Sequence, residues 1–232
     1  MRSKTISLLI IGIVIITLTG CFKSEEKSFG QEFKNDYEQI NGKENKSGKI
    51  HRTVSISENN VFYEITPEKA VEMIENNETF YLYFGSRLCP WCRSVIEKAD
   101  KVSRENGIER VYYIDIWDDE GNEIFRDKYE IVDGEVKKTI DGTASYYKML
   151  EYFNDYLRDY ELTTNAGDSM PTGEKRIYAP NFVYVNKGKI SKLVTGKSEL
   201  QKDSREELTE EMLKEEEEIF NTFFVNACDD AC

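Results

Sequence analysis

The residues of this chain that are best suited to chemistry are its cysteines. The 232 residues include five cysteines but a single histidine, His51, which lies in a polar stretch. One histidine is too few for a histidine-rich metal site, and it is remote in sequence from any candidate nucleophile of a hydrolase triad. Two cysteines, Cys89 and Cys92, enclose Pro90 and Trp91. This C-x-x-C spacing suits thiol–disulfide exchange, a structural disulfide or half of a zinc site.

The position of the C-x-x-C motif favours redox chemistry over the other two interpretations. A nearly continuous apolar run at 79–84 is typical of a central strand that is covered on both faces. A helical pattern then begins at Pro90. If Cys89 is the N-cap of that helix, the free amides of the first turn and the helix dipole favour the Cys89 thiolate. We therefore predict an exposed nucleophile at Cys89 and a buried resolving sulfur, one helical turn deeper, at Cys92.

The elements around this motif predict an α/β fold. Residues 53–65 have the β-branched and aromatic character of a first strand, and Thr66-Pro67 has the sequence of a helix start. The apolar run at 79–84, the helix that follows it and a further apolar run at 111–116 complete a β-α-β-α-β order. This order predicts parallel pairing of the strands, with helices packed against the sheet.

The carboxyl-terminal part of the chain has further helix and hairpin signals. Apolar residues at helical spacing predict an amphipathic helix over 143–160, followed by a polar loop at 163–176. A β-hairpin is predicted at 182–194, around a turn-compatible Asn-Lys-Gly-Lys segment. Ser204 and Glu207 have the spacing of a capping box, which predicts that the final helix begins there.

Two separated segments of the chain resemble the thioredoxin-like family. One is the run from Phe84 to Cys92, with the letters FGSRLCPWC, which follows the hydrophobic strand. The other runs from Ala179 to Lys189, with the letters APNFVYVNKGK, and Gly196 lies beyond it. A C-x-x-C motif alone is a weak signal, whereas this motif followed in order by a proline-led hairpin is a specific one.

The resemblance implies a thioredoxin-like α/β fold with a central mixed sheet flanked by helices. It implies that Cys89 and Cys92 are the catalytic residues of a thiol–disulfide oxidoreductase that needs no cofactor and no metal. It further implies that Pro180 is a cis-proline packed beside the C-x-x-C motif. Ala179 and Pro180 would then contact substrate, as would Trp91 if it is more than a partly exposed residue that closes the motif.

Two features depart from the usual pattern of this family. Many thioredoxins have a buried acid beneath the motif, and the matching position here is Tyr83. A hydroxyl or a water would therefore have to accept the proton of Cys92. The stretch at 117–178 is longer than a minimal domain needs. We expect it to be a helical insertion between the C-x-x-C helix and the cis-proline strand, which either adds packing or covers the active site.

The amino terminus resembles a bacterial lipoprotein signal peptide. Arg2 and Lys4 precede an apolar run at 6–18, which is shorter than the roughly 20 residues of a transmembrane span. The run leads into Leu-Thr-Gly-Cys, which resembles a lipobox that ends at Cys21. The resemblance implies a signal peptide over 1–20 and lipidation of Cys21. An uncleaved signal anchor and an ordinary secretory peptide are the alternatives.

The rest of the sequence divides into a linker and one domain. Residues 21–52 are rich in Lys, Glu, Asn, Ser and Gly and are expected to form a lipidated tether. The thioredoxin-like domain is expected over 53–232. Disulfides persist outside the cytosol, so Cys228 and Cys232 are expected to close a local disulfide. The alternatives are a second redox couple that exchanges with Cys89, or free thiols.

Together these features predict an extracytoplasmic thiol–disulfide oxidoreductase that its lipid anchor holds on the outer face of the cell membrane. The expected partners are protein or peptide thiols and disulfides, and a membrane electron-transfer protein is a further candidate. The formal charge of −13 argues against nucleic-acid binding, which needs a net basic surface. The alternative is a non-catalytic accessory lipoprotein with a permanently closed C-x-x-C disulfide. Such a protein would bind an exported peptide or a transporter. This alternative rests on a resemblance of the chain to the bacteriocin transport accessory proteins.

Overall fold

The computed structural model describes residues 20–225. Within this range, no helix combines the length and the apolar composition that crossing a membrane requires. The predicted signal peptide, apart from Gly20, lies outside the described residues, and so do Cys228 and Cys232. The elements in chain order are α1 (Gly20–Glu38), β1 (Phe62–Glu64), α2 (Pro67–Glu75), β2 (Phe80–Gly85), α3 (Pro90–Glu105), β3 (Val111–Asp115), β4 (Lys128–Val132), β5 (Glu135–Ile140), α4 (Ala144–Phe153), a 3-10 helix (Asn154–Tyr156), β6 (Arg158–Thr163), β7 (Ser169–Arg176), β8 (Asn181–Asn186), β9 (Lys189–Val194) and α5 (Glu210–Val225).

A five-stranded mixed sheet forms the centre of the molecule. Its strand order is β1-β3-β2-β8-β9, in which β1, β3 and β2 are parallel and β8 and β9 are antiparallel to their neighbours. The side chains of β2 alternate: Tyr83 packs with α1, α3 and α5 on one face, and Phe84 packs with α2 and α4 on the other. Because helices cover both faces, β2 is buried along its whole length. The predicted α/β fold, with a mixed sheet flanked by helices, is confirmed.

Residues 29–52 are not the tether that their composition predicts. α1 lies on the sheet beside β1, and its Phe33 and Tyr37 side chains are 5% and 1% exposed. The ring of Phe33 stacks on that of Phe62 in β1, with 4.6 Å between the centroids. The reason is spacing: Phe29, Phe33 and Tyr37 recur every fourth residue and so share one helix face, although charged residues dominate the segment.

The strand predicted at 53–65 pairs with the sheet only in β1. Upstream of β1, side chains of two helices take the place of a neighbouring strand. The Ile56 amide donates to Glu38 Oε1 of α1 at 2.8 Å, and the Ser57 amide donates to Asp100 Oδ2 of α3 at 3.0 Å. β-branched residues therefore indicate extended backbone here, but not a strand of the sheet.

The stretch at 117–178 is less helical than the sequence predicts. α4 ends at Phe153, and the chain continues through the 3-10 helix into β6, so the helix predicted over 143–160 is right only in its first part. Leu157 and Tyr160 are buried, but they lie beyond the end of α4. Their helical spacing in the sequence therefore does not reflect a helix. β6 pairs with β7, which occupies most of the predicted polar loop, and β4 pairs with β5 in a second hairpin. The sequence predicts neither hairpin.

The final helix begins later than the predicted capping box. α5 starts at Glu210, and the Thr209 hydroxyl accepts a backbone amide of its first turn. Ser204 is instead in a turn, where its carbonyl accepts a hydrogen bond from Arg52 at 3.5 Å. The hairpin predicted at 182–194 is confirmed as β8 and β9.

Candidate active site

The C-x-x-C motif lies between the carboxyl end of β2 and the first turn of α3. The predicted helix start is confirmed, because Cys89 is the N-cap of α3 with extended backbone and Pro90 is its first residue. The sulfur of Cys89 accepts a hydrogen bond from the Cys92 amide at 3.4 Å. Both cysteines are free, and each thiol is close enough to shift the pKa of the other. The two sulfurs are therefore placed to close a disulfide.

The sulfur predicted to attack is less accessible than expected. Cys92 is fully buried, as the prediction requires, but Cys89 also has only 4% of its surface exposed. The expectation of an exposed Cys89 is therefore wrong. The reason is packing, since the half-buried Trp91 and Ala179 side chains contact the same core cluster as the two cysteines.

The two thiols differ in acidity. The pKa of Cys89 is lowered by its hydrogen bond with the Cys92 thiol, against the opposing effect of burial, and further by the amides of Cys92 and Trp91 and the charge of Arg126. The pKa of Cys92 is raised well above its ordinary value by burial and by the neighbouring Cys89. The thiolate of the pair therefore belongs to Cys89, where the first turn of α3 stabilises it.

Ala179 and Pro180 lie beside the sulfur of Cys89. The peptide bond between them is cis, and the Cys89 thiol donates to the Ala179 carbonyl oxygen at 3.6 Å. β8 begins at the next residue, Asn181, which pairs with Phe84 near the end of β2. The register of β2 and β8 therefore holds this loop against the C-x-x-C motif.

A cavity of about 540 Å³ opens next to the motif. Trp91, Ala179 and Pro180, the residues predicted to bind substrate, all line it. The remaining walls include Tyr156 and the β6–β7 hairpin, which the sequence does not predict. The Lys197 ammonium lies 4.8 Å from the centroid of the Trp91 ring, so that a cation contacts the indole face. The cavity has the size of a groove for a small ligand or for a few side chains of a peptide.

A buried ion-pair network supports the loop before β8. Glu123 Oε1 accepts hydrogen bonds from Arg126 at 2.5 Å and from Arg176 at 2.8 Å. Arg176 also donates to the Asp127 carbonyl at 2.6 Å, and Arg126 donates to the Ile177 carbonyl at 3.1 Å. Sequence reasoning missed these residues because no local motif marks them and their pairing exists only in the folded chain.

Tyr83 lies beneath Cys92, at the position where many thioredoxins have a buried acid. Its side chain packs with Cys92 in the same buried cluster, where its hydroxyl opposes the rise that burial causes in the pKa of the Cys92 thiol. The hydroxyl shares a hydrogen bond of 2.9 Å with the Tyr37 hydroxyl. Gly85 leaves room for the ring, since a Cβ there would be 2.2 Å from the Tyr83 hydroxyl oxygen. A hydroxyl is thus present beside the predicted resolving thiol. Tyr37 was not predicted as part of the site because its segment has the composition of a tether.

α5 packs on the same face of the sheet as α3, but its last turn lies near the end of β2 that is remote from the C-x-x-C motif. The Tyr81 hydroxyl, near the start of β2, donates to the Phe224 carbonyl at 3.0 Å. The motif follows the other end of β2, about 13 Å farther along the strand. Within the described range 20–225, no three His, Cys, Asp or Glu side chains are grouped so as to hold a metal ion.

Comparisons with known proteins assign no family to this geometry. No family model matches the chain, and no match is found among curated proteins. The chemistry of the site is therefore inferred from its own residues and contacts.

Proposed function

We propose that this protein is a thioredoxin-like thiol–disulfide oxidoreductase. The placement of Cys89 carries the proposal: it is the N-cap of α3, its sulfur accepts the Cys92 amide, and it lies 3.6 Å from the Ala179 carbonyl oxygen. One thiol with a lowered pKa and one with a raised pKa, a helical turn apart, are the two groups that disulfide exchange requires.

The proposed reaction has two exchange steps. The Cys89 thiolate attacks one sulfur of a substrate disulfide, whose other sulfur leaves as a thiolate, and a mixed disulfide forms. Cys92 then loses its proton and attacks the Cys89 sulfur, which releases the second substrate thiolate and leaves a Cys89–Cys92 disulfide. Two electrons pass from the protein to the substrate. In the opposite direction the same steps oxidise a substrate dithiol, and the reduction potential of the pair decides between the two directions.

The proposed substrate is an extended polypeptide segment that carries a disulfide or thiols. Because Cys89 is 4% exposed, its partner sulfur has to approach between Trp91 and Ala179, where the 540 Å³ cavity begins. In the thioredoxin-like interpretation, 117–178 is an insertion into the core fold. We assign this insertion a role in substrate binding, because its β6–β7 hairpin forms part of the cavity wall.

The proposed location is the outer face of the cell membrane, with lipidated Cys21 as the anchor. The lipobox-like sequence that ends at Cys21 supports this location, and two or more acyl chains are sufficient for stable anchoring. A membrane electron-transfer protein is the proposed partner that resets the redox state of the cysteine pair after each cycle.

Reduction of insulin by dithiothreitol tests the proposed enzyme activity. The wild-type chain is expected to accelerate insulin precipitation, and Cys89→Ser is expected to lower the rate to that of dithiothreitol alone. The double variant Cys228→Ser/Cys232→Ser is the matched control and should keep the wild-type rate. Equal rates for the wild type and Cys89→Ser would contradict the proposed enzyme activity. They would favour the alternative of a non-catalytic accessory protein that binds an exported peptide or a transporter.

Trapping in cells tests the order of the two cysteines. Cys92→Ala keeps the attacking thiol but cannot resolve a mixed disulfide, so it is expected to accumulate adducts that non-reducing electrophoresis detects. Cys89→Ala is the matched control and should accumulate none. The reverse pattern would assign the attack to Cys92.

A further inference from the structure

A buried row of polar groups leads from Cys92 to the amino-terminal helix. Cys92, Tyr83 and Tyr37 pack in the same buried core cluster, and the Tyr83 hydroxyl is 2.9 Å from the Tyr37 hydroxyl of α1. Burial raises the pKa of the Cys92 thiol, and the Tyr83 hydroxyl opposes that rise. Cys92 and Tyr83 are 0% exposed and Tyr37 is 1% exposed. A thiol buried in this way cannot release its proton directly to solvent, yet the resolving step requires that it does lose the proton.

Tyr37 also lines a second cavity, of about 400 Å³. The side chains of Asp36, Glu64 and Asp115 line this cavity as well, and burial raises the pKa of each of these carboxyl groups. Carboxylates with raised pKa values accept protons more readily than ordinary ones. No residue lines both this acidic cavity and the cavity beside Trp91, so the acidic cavity is separate from the proposed substrate groove.

We propose that the hydroxyls of Tyr83 and Tyr37 carry the proton of the Cys92 thiol to the acidic cavity when Cys92 resolves a mixed disulfide. This inference rests on the proposed disulfide exchange. The thiol proton passes to the Tyr83 oxygen, the Tyr83 proton passes to the Tyr37 oxygen, and the Tyr37 proton leaves to a carboxylate or water in the cavity. Both tyrosines remain neutral, one proton is lost from Cys92, and its thiolate attacks the Cys89 sulfur.

The surroundings of the two tyrosines keep them protonated, as a relay requires. Burial raises the pKa of Tyr83 and of Tyr37 well above the ordinary tyrosine value. The guanidinium carbon of Arg93 lies 5.9 Å from the centroid of the Tyr37 ring. The charged and titratable groups around the pair and its cavity are Glu32 and Asp36 of α1, Glu64 of β1, Tyr113 and Asp115 of β3, Asp118, Asp119 and Glu120 after it, Arg87 before α3, Cys89 at its N-cap, and Cys92 and Arg93 within it.

Reaction of the reduced full-length protein with excess oxidised glutathione separates the two exchange steps. Samples are quenched with acid at intervals, and the peptide that contains Cys89 and Cys92 is quantified by mass spectrometry. Formation of glutathionylated Cys89 reports the first attack, and its conversion to the internal disulfide reports resolution by Cys92. All variants also carry Cys228→Ser/Cys232→Ser, so that no thiol at these positions can exchange with Cys89. Both rates are measured from acidic to alkaline pH.

Tyr83→Phe and Tyr37→Phe each remove one hydroxyl and keep the packing of the ring. Each is expected to slow resolution by about tenfold or more near neutral pH, to move the pH profile of that step to higher pH, and to leave the attack by Cys89 unchanged. Tyr81→Phe is the matched control. It removes a buried hydroxyl from the same strand, but that hydroxyl donates to the Phe224 carbonyl and not to a group of the proposed relay. Both rates should stay at the wild-type values.

The result for Tyr37→Phe distinguishes a relay from a single hydrogen bond. If Tyr83→Phe slows resolution and Tyr37→Phe does not, Tyr83 only binds the Cys92 sulfur and the relay is wrong. Equal slowing by Tyr81→Phe would also overturn the relay, because it would reveal a general loss of packing. Failure of the proposed function has another signature: the wild type itself would form neither the glutathione adduct nor the internal disulfide, which would overturn both proposals.

Discussion

At the scale of single residues, the site depends on a contrast between two neighbouring sulfurs. The pKa of Cys89 is lowered by the Cys92 thiol and by first-turn amides, whereas burial and the proximity of Cys89 raise the pKa of Cys92. Position in α3 decides this difference, since the two side chains are identical. In the proposed exchange, Cys89 is thus the thiol that ionises more readily, and Cys92 is the one that needs a route for its proton.

A buried carboxyl group in α5 makes stability depend on pH. Glu216 is 0% exposed, and neither of its carboxylate oxygens has a hydrogen-bond partner among the described residues. Burial raises its pKa from 4.5 to about 8, against the opposing charges of Lys98 and Arg52. Between these two values the unfolded chain has released a proton that the folded chain still holds. The stability that this group contributes therefore falls as pH rises through that window.

Replacement of Glu216 by glutamine is expected to remove this pH dependence. Near pH 8, Glu216→Gln should raise the free energy of unfolding above that of the wild type by roughly 2–3 kcal/mol, and the difference should shrink towards the acidic end of the window. Urea denaturation at a series of pH values measures it. Glu218→Gln, on the exposed side of the same helix, should follow the wild-type curve. A difference that grows towards acidic pH would contradict the assignment.

At the scale of elements, sequence predicts the structure well where the signals are local. β2, α3 and the β8–β9 hairpin follow from an apolar run, from a cysteine before a helix-starting proline and from the turn at 186–189. α1 is missed because its charged composition outweighs the aromatic residues of its buried face. The β4–β5 and β6–β7 hairpins are missed because their pairing depends on contacts that no short sequence pattern encodes.

The same limit applies to the candidate site. Cys89, Cys92 and Pro180 are accessible to sequence reasoning because a motif or a family resemblance marks them. Tyr37 and Arg126 come from segments outside the motif; in the folded chain Tyr37 bonds to Tyr83, and the charge of Arg126 acts on Cys89. Their contributions therefore follow from tertiary structure alone.

Truncation of Phe33 tests whether α1 is part of the core. Phe33→Ala is expected to lower the free energy of unfolding by about 3–5 kcal/mol, because it deletes a buried aromatic ring. Phe29→Ala changes the same residue type in the same helix, but Phe29 is 40% exposed, so its effect should be much smaller. Urea denaturation of both variants gives the comparison. Small and equal effects would mean that α1 behaves as the tether that its composition predicts.

At the scale of the whole molecule, α1 connects the core to the proposed lipid anchor. The helix runs without a break from Gly20 to Glu38, so the Cα atom of Cys21 is about 18 Å along the helix from that of Phe33. A flexible linker of this length would allow a wide range of distances from the membrane, whereas a helix that packs on the sheet restricts them. The formal charge of −13 disfavours contact with anionic lipid, so the proposed acyl chains would have to supply the membrane affinity.

Lipidation of Cys21 is open to a direct chemical test. In a bacterium that processes lipoproteins, metabolic labelling with radioactive palmitate is expected to label the wild type and the double variant Cys228→Ser/Cys232→Ser equally, and to leave Cys21→Ala unlabelled. The reason is that only Cys21 follows a lipobox-like sequence. Because acyl chains take no part in disulfide exchange, purified Cys21→Ala should still reduce insulin at the wild-type rate. Label retained in Cys21→Ala would place the acyl chains on another residue, and α1 would then not be the segment that leads from the membrane to the candidate active site.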